Sequence, residues 1–172
     1  MRRRTWGKRS RKSESVETTS APISVPSGRK KTKGLTPAEI AKSGTEHGEQ
    51  AALFFWAALN KARWPVLKWL YAIPNGGGRS PVEGSRLKAE GVKKGVSDVC
   101  LPVPMWKGEA NPSKTHYNGI YIEMKRKDGT IKDVKPEQAE FLEFVQSQGY
   151  YACVCFGWEQ ASKTLEWYLT CD

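Results

Sequence analysis

The stretch that most constrains the fold is an almost continuous apolar run, YYACVCFG, at residues 150–157. Such a run is typical of a strand covered on both faces, because a strand with one solvated face alternates polar and apolar residues. A helical pattern lies on each side of it: KPEQAEFLEFVQSQG, opened by Pro136 and ended by Gly149, and WEQASKTLEWYL. A buried strand between two helices predicts an α/β architecture with helices packed on a sheet.

The sequence upstream of this run supplies the remaining elements. TEHGEQAALFFWAALNKAR predicts a helix with Thr45 as its N-cap and Pro65 beyond its end, and SPVEGSRLKAEG predicts a second helix capped by Ser80. LKWLYAI, a segment beginning near Val96 and GIYIEMKRK predict strands. The whole order is helix, strand, helix, strand, strand, helix, strand, helix. It predicts one mixed central sheet flanked by helices.

The positive charge of the chain is concentrated at its start. The net charge is +10, and residues 1–34 carry 11 Lys or Arg against 2 Glu, while the remaining 138 residues carry 17 basic and 16 acidic residues. The first segment is rich in Ser, Thr, Pro and Gly and has no apolar period, so residues 1–35 are predicted to be a disordered basic tail and residues 36–172 the folded domain. A phosphate-binding arm and a solubilising leader explain such a tail equally well.

Composition excludes several classes of protein. No apolar run approaches the length that spans a membrane, and the N-terminus lacks the apolar segment of a secretory signal. The four cysteines form no CxxC pair and lie far from both histidines, which argues against a zinc site. We therefore expect a cytoplasmic protein with no membrane partner.

The segment with candidate catalytic residues is YIEMKRKDG at residues 121–129. Residues two apart on a strand share a face, so Glu123 and Lys125 project together. If the predicted strand that carries Asp98 near its start is a neighbour, the three groups converge. Two close carboxylates repel each other but suit Mg²⁺, which takes one or two carboxylates plus waters, and a nearby lysine can orient the attacking water. Taken alone, an ExK pair on a strand is better explained as a surface ion pair.

Three stretches in order resemble the VRR-NUC (virus-type replication-repair nuclease) family of the PD-(D/E)XK nuclease superfamily. They are IPNGGGRS at 73–80, LKAEGVKKGVSDVCLP at 87–102, and YIEMKRKDG followed by KPEQAEFLEFVQSQGYYACVCFGWEQA. The resemblance runs from about Glu46 to Ala161, and its one departure is Ser97 where the superfamily name implies proline. It implies a PD-(D/E)XK nuclease-like mixed central sheet flanked by helices, in the stand-alone form seen in bacteriophages and bacteria.

The resemblance implies a Mg²⁺- or Mn²⁺-dependent DNA endonuclease. In this chain Asp98 and Glu123 match the metal-binding acids, and Lys125 matches the catalytic lysine. Gln138 matches the active-site glutamine of the helix that follows. The backbone carbonyl of Met124 is expected to be a further metal ligand.

The first long helix is expected to supply one more acid to the metal. Glu46 fits the spacing of the family best, and Glu49 is the alternative. Both also lie where an acid stabilises the start of a helix, which explains them without any role in a site.

The candidates for contacting the substrate are basic residues that precede Asp98 or follow Lys125 in the sequence. Six of them are predicted to contact the DNA backbone: Arg79, Arg86, Lys88, Lys93, Lys94 and Arg126. The glycine-rich turn at 75–78 is either a sharp turn or a phosphate-binding turn. The resemblance implies branched or structured DNA such as Holliday junctions or flaps, a homodimer, and the cytoplasm of a bacterial or phage-infected host cell. The alternatives are a non-catalytic DNA-binding module on a nuclease fold, a small-molecule enzyme that uses the glycine-rich turn, and a basic-tailed scaffold.

Overall fold

The structure, a computed structural model, describes residues 35–74, 80–106 and 116–170. The helices are α1 (Pro37–Ala41), α2 (Glu46–Asn60), α3 (Pro81–Ala89), α4 (Pro136–Ser147) and α5 (Trp158–Leu169), with 3₁₀ turns at Pro65–Trp69 and Ile131–Asp133. The strands are β1 (Tyr71–Ala72), β2 (Val99–Leu101), β3 (Met105–Trp106), β4 (His116–Tyr117), β5 (Ile120–Lys125) and β6 (Tyr151–Phe156). The predicted basic tail, apart from Leu35, lies outside the described residues.

The main sheet has four strands in the order β1-β2-β5-β6. β1 with β2 and β2 with β5 run antiparallel, whereas β5 and β6 run parallel and are connected through α4. The sheet is therefore mixed, as the sequence predicts. The apolar run at 150–157 forms β6, and its parallel pairing requires a crossover, which is the role of α4.

The two faces of the sheet pack against different helices. Ile122 and Met124 are buried in the larger core, which contains residues of α2 and α5. Tyr121 faces the other way and packs edge-on against Phe141 of α4, with ring centroids 5.4 Å apart. Because side chains alternate along a strand, Glu123 also lies on the α4 side of β5.

The predicted helix starts agree with the structure. Thr45 Oγ1 accepts a hydrogen bond from the N–H of Gly48 at 3.0 Å, and Ser80 Oγ accepts one from the N–H of Glu83 at 3.2 Å. Each satisfies an amide that the first helical turn leaves without an intrahelical partner. In the part of the chain that the structure describes, no helix has the length and apolar character needed to cross a bilayer.

Two local predictions were wrong. The first three residues of LKWLYAI belong to the 3₁₀ turn that begins at Pro65, and only Tyr71–Ala72 is a strand. The second predicted strand starts at Val99 rather than near Val96, because Gly95 turns the chain with a φ of +83°. The connection between β2 and β5 contains the small antiparallel ribbon β3–β4, which no apolar pattern signals.

Candidate active site

A buried ion pair lies at the end of β5. Lys125 Nζ is 2.8 Å from Glu123 Oε1, and the side chains are 4% and 1% exposed. Apolar residues of similar volume usually stabilise a core at least as well as such a pair, because desolvation of two charges offsets their attraction. The pair is therefore poorly explained as a stabilising device and is better explained by chemistry.

Asp98 joins this pair through the sheet. The antiparallel register pairs Val99 of β2 with Ile122 of β5. Continuing this register by one residue places Asp98 opposite Glu123. Asp98 Oδ2 accepts a hydrogen bond from the N–H of Met124 at 2.8 Å. The structure thus brings together the three charged groups that the strand pattern singles out.

Gln138, in the first turn of α4, bridges the pair to the helix. Its Oε1 accepts hydrogen bonds from the backbone N–H of Lys135 at 2.9 Å and from Lys125 Nζ at 3.2 Å. Its Nε2 donates to Glu123 Oε1. The start of α4 and the end of β5 are therefore held as one unit by this amide.

The other oxygen of Glu123 stands without a hydrogen bond among the residues that the structure describes. Glu123 Oε2 is buried, and no described residue donates a hydrogen bond to it. Burial, and then the nearby charge of Asp98, raise the pKa of Glu123 from 4.5 to about 7. Burial also raises the pKa of Asp98, against the opposing effects of the Met124 N–H and of Lys125. Each carboxylate thus lies where a further positive charge would stabilise it.

The donor set fits a hard divalent cation. In the described parts of the chain, no three His, Cys, Asp or Glu side chains form a metal-binding group. Mg²⁺ does not need one, since it commonly takes one or two carboxylates and keeps several waters. The unpartnered oxygen of Glu123 and the carboxylate of Asp98 supply that number. The ligand role of the Met124 carbonyl stays a prediction.

The structure separates the two acids of α2. Glu46 Oε1 is 3.8 Å from Lys125 Nζ on a side chain that is 55% exposed. Glu49 is buried, and its Oε2 accepts a hydrogen bond from the N–H of Trp158 at 2.8 Å, at the start of α5. Glu46 therefore lies beside the ion pair, whereas Glu49 satisfies the amino end of a helix.

We expect Glu49→Ala to lower the free energy of unfolding by about 1–3 kcal/mol, because the N–H of Trp158 loses its buried acceptor. Glu49→Gln keeps an acceptor oxygen and should lose clearly less. Urea unfolding measures both, and Glu46→Ala is the control on the same helix, where exposure limits the loss to about 0.5 kcal/mol. An alanine variant at position 49 as stable as the parent chain would contradict the capping role.

The charged groups surround a cavity of about 300 Å³. Its lining consists of Glu46, Lys94, Gly95, Val96, Asp98, Glu123, Lys125, Asp133, Lys135, Glu137 and Gln138. Sequence reasoning missed Asp133, Lys135 and Glu137. The signal was present, because IKDVKPEQ connects the ExK strand to the helix that carries Gln138, and any residue there lies close to both.

Gly95 fixes how the loop before Asp98 meets α4. Its φ is +83°, and a Cβ at this position would collide with the backbone carbonyl of Glu137, whose carbon would lie 2.6 Å away. The loop can approach the helix this closely only with a glycine at the contact. The approach places Lys94 and Val96 on the wall of the cavity.

Gly95→Ala is accordingly expected to lower the free energy of unfolding by roughly 1–3 kcal/mol through backbone strain and the collision with Glu137. Gly84→Ala is the matched control, because a Cβ there meets nothing within 4 Å. In that helical position alanine should be neutral or stabilising by up to about 1 kcal/mol. Equal thermal stability of the two variants would show that the close approach of Gly95 to Glu137 does not affect stability.

The predicted DNA-contacting cations differ in position. Lys94 lines the cavity. Arg86 is 3.4 Å from Glu90 and Arg126 is 3.5 Å from Asp128, each as an exposed ion pair. Two further cations, Lys88 and Lys93, are exposed, and Arg79 lies outside the described residues. The structure therefore brings one of the six to the cavity and leaves four exposed at the surface.

Comparison with known proteins identifies the fold. No protein-family model matches the chain, and no curated protein matches it. Among solved structures, the fold is similar to that of a chain described as a "VRR_NUC domain protein", with a TM-score of 0.55 and 22% sequence identity. The likeness covers 81% of this chain and 93% of the other. The predicted fold class is thereby confirmed: the chain has a mixed sheet flanked by helices in a VRR_NUC-like arrangement.

Proposed function

We propose that this protein is a metal-dependent DNA endonuclease of the VRR-NUC type. The observation that carries the proposal is the buried Lys125–Glu123 pair, with an unpartnered carboxylate oxygen and Asp98 beside it, on a fold similar to that of a VRR_NUC domain protein. This group costs stability and suits phosphoryl chemistry, in which positioned positive charge stabilises the transition state.

The metal would be Mg²⁺ or Mn²⁺. Asp98 and Glu123 would hold it directly, the carbonyl of Met124 is a further candidate ligand, and Glu46 would bind it directly or through water. When bound, such an ion supplies a water of lowered pKa and polarises a phosphoryl oxygen.

The other groups of the site position and balance charge. Hydrolysis forms a bond between a water oxygen and phosphorus and breaks one P–O bond, while negative charge builds on the phosphate oxygens. Lys125 Nζ, buried and held by Glu123 and Gln138, can donate to the attacking water or to one of those oxygens. Gln138 keeps the ammonium group in place, since it contacts both members of the pair.

Substrate recognition is proposed to use the cations around the cavity. Lys94 and Lys135 lie on its wall, where a phosphate that approaches Lys125 would meet them. The exposed cations nearby, Arg86, Lys88, Lys93 and Arg126, would neutralise backbone phosphates at longer range, together with Arg79. We further propose branched or structured DNA as the substrate and a homodimer as the active form.

The test is a cleavage assay with end-labelled linear, forked, flap and four-way junction DNA in Mg²⁺, Mn²⁺ or EDTA. We expect cutting in either metal and none in EDTA. Cleavage that persists in EDTA would contradict the proposed metal-dependent mechanism. Tight binding without cutting in any metal would instead favour the non-catalytic DNA-binding module.

A further inference from the structure

The segment between the two acids Glu49 and Glu83 contains no Asp or Glu. Its described cations are Lys61, Arg63 and Lys68, all of them exposed. An exposed surface of one sign attracts a polyanion and repels acidic partners. The end of α2 and the 3₁₀ turn after it therefore carry three exposed cations and no acidic residue of their own.

Two large aromatic side chains are exposed on this surface. Trp69 is 59% exposed and Tyr71 is 46% exposed, whereas Leu70 between them is buried in the core. Lys68 Nζ lies 5.0 Å from the centre of the Trp69 ring. We call Lys68, Trp69 and Tyr71 the aromatic edge, because they lead into β1, the outer strand of the main sheet.

Tyr71, the member of the aromatic edge that belongs to the sheet, projects to the same side of the sheet as the candidate active site. Tyr71 pairs with Cys100, and Cys100 pairs with Tyr121, which faces α4 as Glu123 does. Residues directly opposite each other in antiparallel strands project to one face. Tyr71 lies two strands away from Glu123 across the sheet and two residues away along the strand direction. These spacings put the two residues roughly 12 Å apart.

We infer that the aromatic edge binds unpaired bases of a DNA strand whose phosphate backbone enters the site at Lys125. Base stacking on an exposed aromatic ring needs an open π-face with positive charge nearby, and Trp69 with Lys68 supplies both. Single-strand sites commonly span about 4–16 nucleotides, which is ample for a separation of roughly 12 Å. The inference deepens the proposed nuclease function, on which it rests for the position of the cut, by assigning to Lys68, Trp69 and Tyr71 the binding of unpaired bases beside the cut.

The experiment measures binding in EDTA, where cleavage is not required. The full chain is titrated into a labelled single-stranded arm attached to a duplex, and into a blunt duplex, by fluorescence anisotropy at one salt concentration. We expect Trp69→Ala to weaken binding of the armed substrate by about five-fold to a hundred-fold and to change binding of the duplex by less than about two-fold. Trp69→Phe keeps a ring and should retain most of the affinity, and Tyr71→Ala should lose affinity in the same direction.

Phe144→Ala is the matched control, since Phe144 is equally exposed at 59% but lies on α4. It should bind both substrates as the parent chain does. Unchanged binding of the armed substrate by Trp69→Ala, or equal loss on both substrates, would overturn the inference. If the chain cuts DNA with Mg²⁺ and Trp69→Ala has no effect on binding, the nuclease function stands and the role of the aromatic edge is refuted. If the chain never cuts but Trp69→Ala weakens binding of the armed substrate, the aromatic edge binds bases and the nuclease function is refuted.

Discussion

Lys125→Ala is expected to reduce metal-dependent cleavage by about 10²–10³-fold while DNA binding stays within a few-fold of the parent chain. The lysine is buried, and the structure gives its ammonium group two neutralising or accepting partners, Glu123 and Gln138, at 2.8 and 3.2 Å. In the proposed mechanism a group held this firmly would act on one oxygen of the reacting phosphate rather than on the DNA backbone at large. Its loss should therefore appear in the rate of the chemical step and not in affinity.

Lys127→Ala is the matched control for this experiment. Lys127 lies two residues farther along, carries the same charge and is 68% exposed in an ion pair with Glu159. It should cut at nearly the parent rate. Single-turnover cleavage of a labelled junction separates the chemical step from binding. If both lysine variants cut equally well, Lys125 has no part in the chemistry.

The second large effect concerns pH. In EDTA we expect the free energy of unfolding to fall by on the order of 3 kcal/mol between about pH 5 and pH 8 because of Glu123. Its pKa is about 7 in the folded chain against an ordinary value of 4.5, so the folded state binds this proton more tightly than the unfolded state does. The resulting stabilisation is complete below the unfolded pKa and is lost as the pH rises through the folded pKa. The raised pKa of Asp98 acts in the same direction.

Urea unfolding across this pH range measures the effect. Glu123→Gln should flatten the slope, whereas Glu159→Gln, at an exposed position, should keep it. Addition of Mg²⁺ at pH 8 should restore stability to the parent chain and not to Glu123→Gln, because binding to the folded state alone is stabilising. A parent chain whose stability in EDTA is the same at pH 5 and pH 8 would show that folding does not raise the pKa of Glu123.

Much of the fold follows from patterns that act locally. The apolar run of β6 and the caps Thr45 and Ser80 are determined by short-range chemistry, and the structure reproduces them. The alternation that places Glu123 and Lys125 on one face needs only the geometry of a strand. Their convergence with Asp98 needs one further assumption, that β2 and β5 are neighbours.

What the sequence leaves open depends on how elements are rotated against each other. Glu46 and Glu49 both begin α2, and only the packing of α2 on α5 turns one toward Lys125 and the other toward the N–H of Trp158. Trp69 fits an apolar pattern but is exposed, because the 3₁₀ turn that starts at Pro65 breaks the predicted strand. The contact of Gly95 with Glu137 joins a loop to the first turn of α4, and no local pattern encodes that approach.

The sequence distances within the site have a consequence for the order in which the chain acquires it. Lys125 and Gln138 are 13 residues apart, Asp98 and Met124 are 26 apart, and Glu49 reaches Trp158 across 109 residues. Contacts between distant residues form later, because closing longer loops costs more entropy. A nascent chain that has not yet produced α5 lacks the anchor that orients α2, so Glu46 has no fixed place beside Lys125. The candidate active site is thus completed only after α5 has been synthesised.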